Sequence, residues 1–317
     1  MPGLSGSRHR AQLYVHRAHR LGGPCAIHVY AADAARATQV LQAADAELLR
    51  IETRYSRYRP DSIISRINAS AGDGRGVEVD DETAALLDYA DAAHRESEGR
   101  FDITSGVLRR AWDFREARLP SDEDLALLLP LVGWSRVEWR RPRVVLPQAG
   151  MQLDFGGFGK EYAVDRVAAG LRMHGIEHGL VDLAGDLCIV GAHPDGRPWQ
   201  VGLQHPRQAG AIATLSMTAG AVASSGDYER GFVIDGQRYC HILDPRSGWP
   251  VQGLAGVSVV ADQCLVAGTA ATTAMLMGAE AGPQWLAGLG LPHLCITTAL
   301  QTLTAPAGLF HPVGAAP

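Results

Sequence analysis

A chain of 317 residues, 46% hydrophobic and 20% charged, with a formal charge of −5, has a soluble globular composition and can bury a large core. That balance excludes a disordered chain and argues against a nucleic-acid partner, whose phosphates demand clustered cations on a basic surface. Five scattered cysteines without a CxxC pair suggest neither a disulfide framework nor a zinc site and fit a reducing compartment; among 29 cations, Lys160 alone is lysine.

The first twenty residues carry Arg8, Arg10, Arg17 and Arg20 around an apolar stretch, Leu13 to Val15, too short for a signal-peptide core. Residues 1–20 are therefore expected to be a flexible basic N-terminus, and the protein to be cytoplasmic. Ala26 to Tyr30 reads as a strand and Ala34 to Thr53 as a helix with Val40, Ala44, Leu48 and Ile51 on one face. A loop from Tyr55 to Asn68 and a glycine-rich turn at Ala71 to Gly76 lead to a helix from Asp81, closed by Gly99.

Ser121 with three following acids caps a helix over Leu125 to Leu131. Val137 to Trp139, Arg143 to Leu146 and Met151 to Phe155 alternate with turn residues as an antiparallel meander would, and the helix Glu161 to Met173 follows. Gly179 to Val260 reads as mostly sheet. Gly253 to Ala279 carries one charge, Asp262, but its second half is Ala, Gly and Thr, so a buried strand and a core helix over Leu265 to Gly278 are expected, with no membrane span. The end, residues 301–317, reads as a flexible tail.

Chemistry concentrates in three segments. Asp154-Phe155-Gly156-Gly157-Phe158-Gly159-Lys160 stands where a strand passes into a helix, so backbone N–H groups and the helix N-terminus favour an anion. It is neither a Walker A loop nor a Rossmann fingerprint, and a tight turn with a surface lysine is the plainer reading. The retained lysine of an otherwise all-arginine chain argues for a place that needs a compact ammonium.

The second segment is Ser225-Gly226-Asp227-Tyr228 followed by His241-Ile242-Leu243-Asp244-Pro245-Arg246-Ser247-Gly248. His241 is the candidate general base, with Asp227 or Asp244 to orient it, against a structural histidine in a fixed turn. A serine hydrolase is disfavoured because Ala223 stands where the first glycine of a GxSxG elbow belongs. The third segment, Ala267 to Thr273, is a small-residue run that packs a helix closely.

In this order the segments resemble the ApbE family, the FAD:protein FMN transferases, from about Leu21 to Gly278. The family's early Met-Gly-Thr looks like Leu21-Gly22-Gly23, and its Ser-x-Tyr, Ser and Arg-x-Asn signature is matched by Ser56, Tyr58, Ser62, Arg66 and Asn68. Phe101 to Thr104 matches Phe-Asp-x-Thr, and Ala184-Gly185-Asp186 looks like Gly-Gly-Asp. Asp154 to Asp165 matches Asp-Leu-Gly-Gly-x-x-Lys-Gly-Tyr-Ala-x-Asp, except that Glu161 replaces a glycine.

The resemblance implies an α+β fold of mixed or antiparallel sheets with packed helices, one compact unit of two lobes over residues 21–300. It implies transfer of FMN from FAD to a Ser or Thr hydroxyl of an acceptor flavoprotein bearing an Asp-x-x-Ser/Thr-Gly-Ala-Ser/Thr-like motif. AMP is released and Mg²⁺ assists. His241 would take the hydroxyl proton with Asp227 beside it, and Lys160 would steady the phosphates. Leu21, Tyr58, Asp102, Ile103, Thr104, Asp154, Gly156, Gly157, Lys160 and Ile242 fall at FAD positions.

For the metal, the resemblance implies the Gly157 backbone oxygen with the Asp and Thr of Ala-Asp-x-x-x-Thr. Here that aspartate is Gly268 and the threonine is Thr272. Losing a carboxylate weakens a Mg²⁺ site, for which Asp262 and Asp227 are the candidate substitutes. Two rival readings follow: a non-catalytic FAD-binding or flavin-delivery protein, and an FAD pyrophosphatase giving FMN and AMP.

Overall fold

The structure, a computed structural model, describes residues 11–313. Its first element corrects the expected flexible N-terminus: residues 1–10 lie outside the described range, but Gln12–Arg20 is strand β1. It pairs antiparallel with β2 (Gly23–Ala31) through a two-residue turn at Leu21 and Gly22, whose φ of 48° and 80° match the primed turn that suits strand twist. Of the cations that made this stretch read as a tail, Arg20 is neutralised locally, reaching Asp45 at 2.7 Å, and His16 lies 3.2 Å from the same carboxylate.

Asp33 caps α1 (Ala34–Tyr55) by accepting the Arg36 N–H, and its apolar face buries Val40, Leu48 and Ile51. The expected loop after it holds a short helix, α2 (Ile63–Ala69), started by Ser62. β3 (Val77–Glu78) precedes α3 (Asp81–Glu96), and α4 (Asp122–Leu128) opens on the Ser121 capping box. β4 (Glu138–Arg140) and β5 (Arg143–Val145) join β3 in a small sheet.

Met151 to Phe155 is not the strand its alternation predicted. Its backbone is held by a side chain: Asn68 donates to the Leu153 carbonyl at 3.0 Å and accepts its N–H at 2.6 Å, and the Asp154 N–H donates to the Ile103 carbonyl. α5 (Gly159–Met173) leads to β6 (Gly179–Leu183), β7 (Asp186–Gly191), β8 (Trp199–Gln204), β9 (Ala211–Met217) and β10 (Ala221–Gly226). A hairpin of β11 (Gly231–Ile234) and β12 (Gln237–Cys240) precedes β13 (Leu254–Ala261).

α6 (Cys264–Gly288) is interrupted where the sequence predicted its end, at Gly278, and then continues. β14 (His293–Thr297), β15 (Thr302–Ala305) and β16 (His311–Pro312) close the chain. The expected flexible tail is thus corrected over these residues: β15 extends the main sheet and β16 pairs with β9, while residues 314–317 lie outside the described range.

The main sheet has eight strands in the order β1-β2-β6-β7-β10-β13-β14-β15, every pair antiparallel. Its central strands are buried on both faces. Val181, Cys188, Ala223 and Val257 join the core under α1, α5 and α6, whereas Leu180, Ile189, Val222 and Ala255 face a second core built on β8 and β9. α6, the one helix among the described residues long and apolar enough to cross a membrane, packs against α5, β10 and β13 as a core helix. A third core, with Trp112, Phe232, Tyr239 and Leu243, carries the β11–β12 hairpin at the side.

Candidate active site

Four elements meet around Lys160. The glycine loop ends at Gly159, and the first turn of α5 projects Lys160 toward the start of β7, where its Nζ lies 2.6 Å from Asp186 Oδ2. The other Asp186 oxygen accepts the Ser224 N–H of β10 at 3.0 Å, and the next residue, Ser225, shares a 2.7 Å hydrogen bond with Thr272 of α6. Burial lowers the Lys160 pKa, but Asp186 and Glu161 outweigh it and hold the ammonium above the ordinary lysine range. Asp186, 1% exposed, is in turn pushed up by burial while Lys160 opposes the shift.

Beside this pair lies Glu161, 7% exposed, with Oε2 lacking any partner. Burial, then the Asp186 charge, raise its carboxyl above the usual carboxylate range. The cluster therefore holds two buried carboxyl groups and one ammonium. Glu161 also fills the space in front of Gly268: a Cβ there would stand 2.5 Å from Glu161 Cγ and 2.7 Å from Oε1.

His241 follows β12 and is fixed through its own backbone, its N–H donating to the Arg230 carbonyl at 3.0 Å. Burial, then Arg109, Arg230 and Lys160, lower its pKa to about 4, so the imidazole is neutral at neutral pH and sits among cations. The expectation that Asp227 or Asp244 orients it is corrected. Asp227 is clamped by Arg207 in two 2.6 Å hydrogen bonds, and Asp244 turns to Arg246; His241 Nδ1 has no partner. Arg207 wins because its planar fork matches a carboxylate with two bonds at once.

The remaining candidate positions are held separately. Asp102 and Thr104 spend their side chains inside the protein: Asp102 accepts from the Thr104 N–H and hydroxyl at 2.7 and 2.5 Å and from the Trp134 N–H at 2.9 Å, while Thr104 accepts the Gly133 N–H. Asp154 accepts the Gly156 N–H at 2.8 Å and pairs with Arg57 at 2.9 Å. Ile103 and Ile242 are buried, Gly157 lies against the Phe101 ring, and Tyr58 is 78% exposed beside Arg57. Leu21, at the β1–β2 turn, donates its N–H to Glu52.

A family-wide sequence profile, that of the ApbE family, matches residues 21–294. The chain belongs to the ApbE family. It is 32% identical over 299 residues to a FAD:protein FMN transferase of Treponema pallidum, covering 88% of this chain and 82% of that protein. It is 31% identical over 245 residues to one of Vibrio cholerae, covering 75% and 73%. In three dimensions it resembles the ApbE protein of Thermotoga maritima with a TM-score of 0.85 and 30% identity, over 93% of this chain and 97% of that one. The flavin transferase ApbE from Vibrio cholerae gives a TM-score of 0.84 at 27% identity, over 93% and 98%.

The fold also gives work to residues whose contacts the sequence did not show. Arg57, between Ser56 and Tyr58, binds Asp154, the Gly106 carbonyl and Gln152, tying the first motif to the glycine loop. Asp165, the last residue of the glycine-loop motif, accepts the N–H groups of Cys264 and Leu265. Arg109, Arg207 and Arg230 lie in no motif, and among 28 arginines nothing in the sequence marks them.

Among the described residues no group of three or more Asp, Glu, His or Cys side chains could hold a metal by itself. A Mg²⁺ site that borrows substrate phosphates needs only one or two carboxylates and oxygen donors such as a hydroxyl. The orphaned, buried Glu161 carboxylate in front of Gly268, with Thr272 one turn further along α6, is a donor set of that kind. Of the substitutes considered for the missing aspartate, Asp262 is exposed ahead of α6 and Asp227 is held by Arg207.

Proposed function

We propose that this chain transfers FMN from FAD to a Ser or Thr hydroxyl of an acceptor protein. The hydroxyl oxygen bonds the FMN phosphorus, the pyrophosphate P–O bond breaks, AMP leaves, and the hydroxyl proton passes to His241. The single observation that carries this reading is that the Lys160 ammonium, held 2.6 Å from Asp186, stands in the first turn of α5, whose N-terminus has no side-chain cap, with the buried His241 imidazole within reach of its charge. A base must be unprotonated to accept a proton, and a pyrophosphate needs fixed positive charge. The names of the relatives from Treponema pallidum and Vibrio cholerae support it.

Phosphoryl transfer depends mainly on positioning and on stabilising charge at the phosphoryl oxygens. Lys160, held by Asp186, and the N-terminus of α5, which has no side-chain cap, would carry that task here. The backbone oxygen of Gly157 and the hydroxyl of Thr272 would help hold Mg²⁺, which when bound would supply further positive charge to the phosphates. The acceptor is expected to carry the Asp-x-x-Ser/Thr-Gly-Ala-Ser/Thr-like motif.

Incubation with FAD, Mg²⁺ and an acceptor domain bearing that motif tests the reading by acceptor mass and AMP release. A heavier acceptor with stoichiometric AMP is the expected result. AMP with an unmodified acceptor makes the protein a pyrophosphatase, and FAD binding with neither product makes it a flavin carrier.

A further inference from the structure

A buried carboxylate with an empty hydrogen-bonding position needs a cation or a proton. Glu161 is such a group, and its surroundings offer one ammonium to two carboxylates, since Lys160 is already bound to Asp186 at 2.6 Å. The Glu161 side chain also occupies a specific place. α5 and α6 pack side by side, locked where Asp165 accepts the Cys264 and Leu265 N–H groups at 2.8 Å. One turn back along α5 from Asp165 is Glu161, and one turn on along α6 from Cys264 is Gly268.

The contact at that level is close enough that a side chain on position 268 would have to displace the Glu161 side chain. Conversely, a glycine at 161 would leave room for one. Two of this chain's departures from the ApbE pattern, Glu161 and Gly268, therefore meet at one contact between the two helices. One further turn along α6 is Thr272, whose hydroxyl is held by Ser225 at 2.7 Å.

We propose that Glu161 supplies, from α5, the metal-binding carboxylate that the family pattern places at position 268 on α6. The bound species is a divalent cation of the Mg²⁺ or Mn²⁺ class, which prefers oxygen donors. This rests on the transferase reading only in that both use a divalent cation at the pyrophosphate.

The test is Mn²⁺ binding to the full chain, followed by the electron paramagnetic resonance of free Mn²⁺ with and without FAD. Flavin fluorescence in EDTA reports independently whether FAD binds at all, so failure of the flavin reading is seen apart from failure of the carboxylate assignment. Glu161→Gln keeps shape and removes charge, and should weaken Mn²⁺ binding by at least about tenfold, the lower end even for an outer-shell partner. Glu161→Gly should lose it similarly, and Glu161→Gly combined with Gly268→Asp should regain it. Unchanged Mn²⁺ affinity in Glu161→Gln overturns the assignment, as does a folded double variant that binds no better than Glu161→Gly, or a wild-type protein that binds no Mn²⁺ with FAD present.

Discussion

Asp165 caps a helix that is not its own. Its Oδ1 accepts the Cys264 N–H at 2.8 Å and its Oδ2 the Leu265 N–H at 2.8 Å, at the start of α6, where Gln263 makes no side-chain cap. The carboxylate thereby satisfies two orphan donors and sets the register of α5 against α6. Asp165→Ala should lower stability by about 1–2 kcal/mol, the range for a lost N-cap. The midpoint of urea unfolding measures this; an unchanged midpoint would return Asp165 to a bystander.

Lys160 faces a fully buried partner, so its replacement separates charge from shape. Lys160→Ala leaves Asp186 buried without its cation and should cost about 2–3 kcal/mol, less than a fully buried pair because the lysine is partly solvated. Lys160→Arg keeps the charge but presents a planar fork where a compact ammonium sits. It should fold near normally, yet bind FAD more weakly and turn over more slowly. Wild-type flavin affinity and turnover in Lys160→Arg would make the lone lysine a coincidence.

The glycine loop, Lys160 and the His241 segment stood out in the sequence as contiguous runs, but their residue types alone left a tight turn and a structural histidine open, and the family resemblance tied them together. Cross-chain pairings did not stand out. Asp227 looked like a partner for His241, and only the fold shows that Arg207 arrives first; Glu161 and Gly268 read as two unrelated departures until α5 and α6 were placed side by side. β6, β7 and β10 lose the alternation of a half-buried strand because both faces are covered. β1 misled in the opposite direction: an edge strand rich in His and Arg has the composition of a tail until β2 and Asp45 are set beside it.

The Arg207–Asp227 clamp predicts that Asp227 acts on stability rather than on the base. Asp227 is 4% exposed, so Arg207→Leu strands a buried carboxylate and should destabilise the protein by about 2–3 kcal/mol, discounted for the partly solvated guanidinium. Arg207→Leu with Asp227→Leu should recover much of that loss in thermal unfolding. Asp227→Asn should leave the acid limb of the transfer rate where it is; a shift of that limb would restore Asp227 as the partner of His241.

His241 should make stability and catalysis respond to pH in a specific window. Its folded pKa of about 4 lies below the ordinary histidine value of about 6.5, so between those two the unfolded chain binds the proton and the native protein does not. Stability then falls as pH drops through that window and is independent of this group above it. His241→Gln cannot titrate, so its melting temperature should fall less than that of the wild type between pH 7 and pH 5, about the middle of the window. FAD binding should survive in His241→Ala, with transfer slowed by about 10²–10⁴-fold, the contribution of a positioned base. Equal pH sensitivity in wild type and His241→Gln would mean that the imidazole titrates in the fold as it does in the unfolded chain, and normal transfer by His241→Ala would remove it as the base.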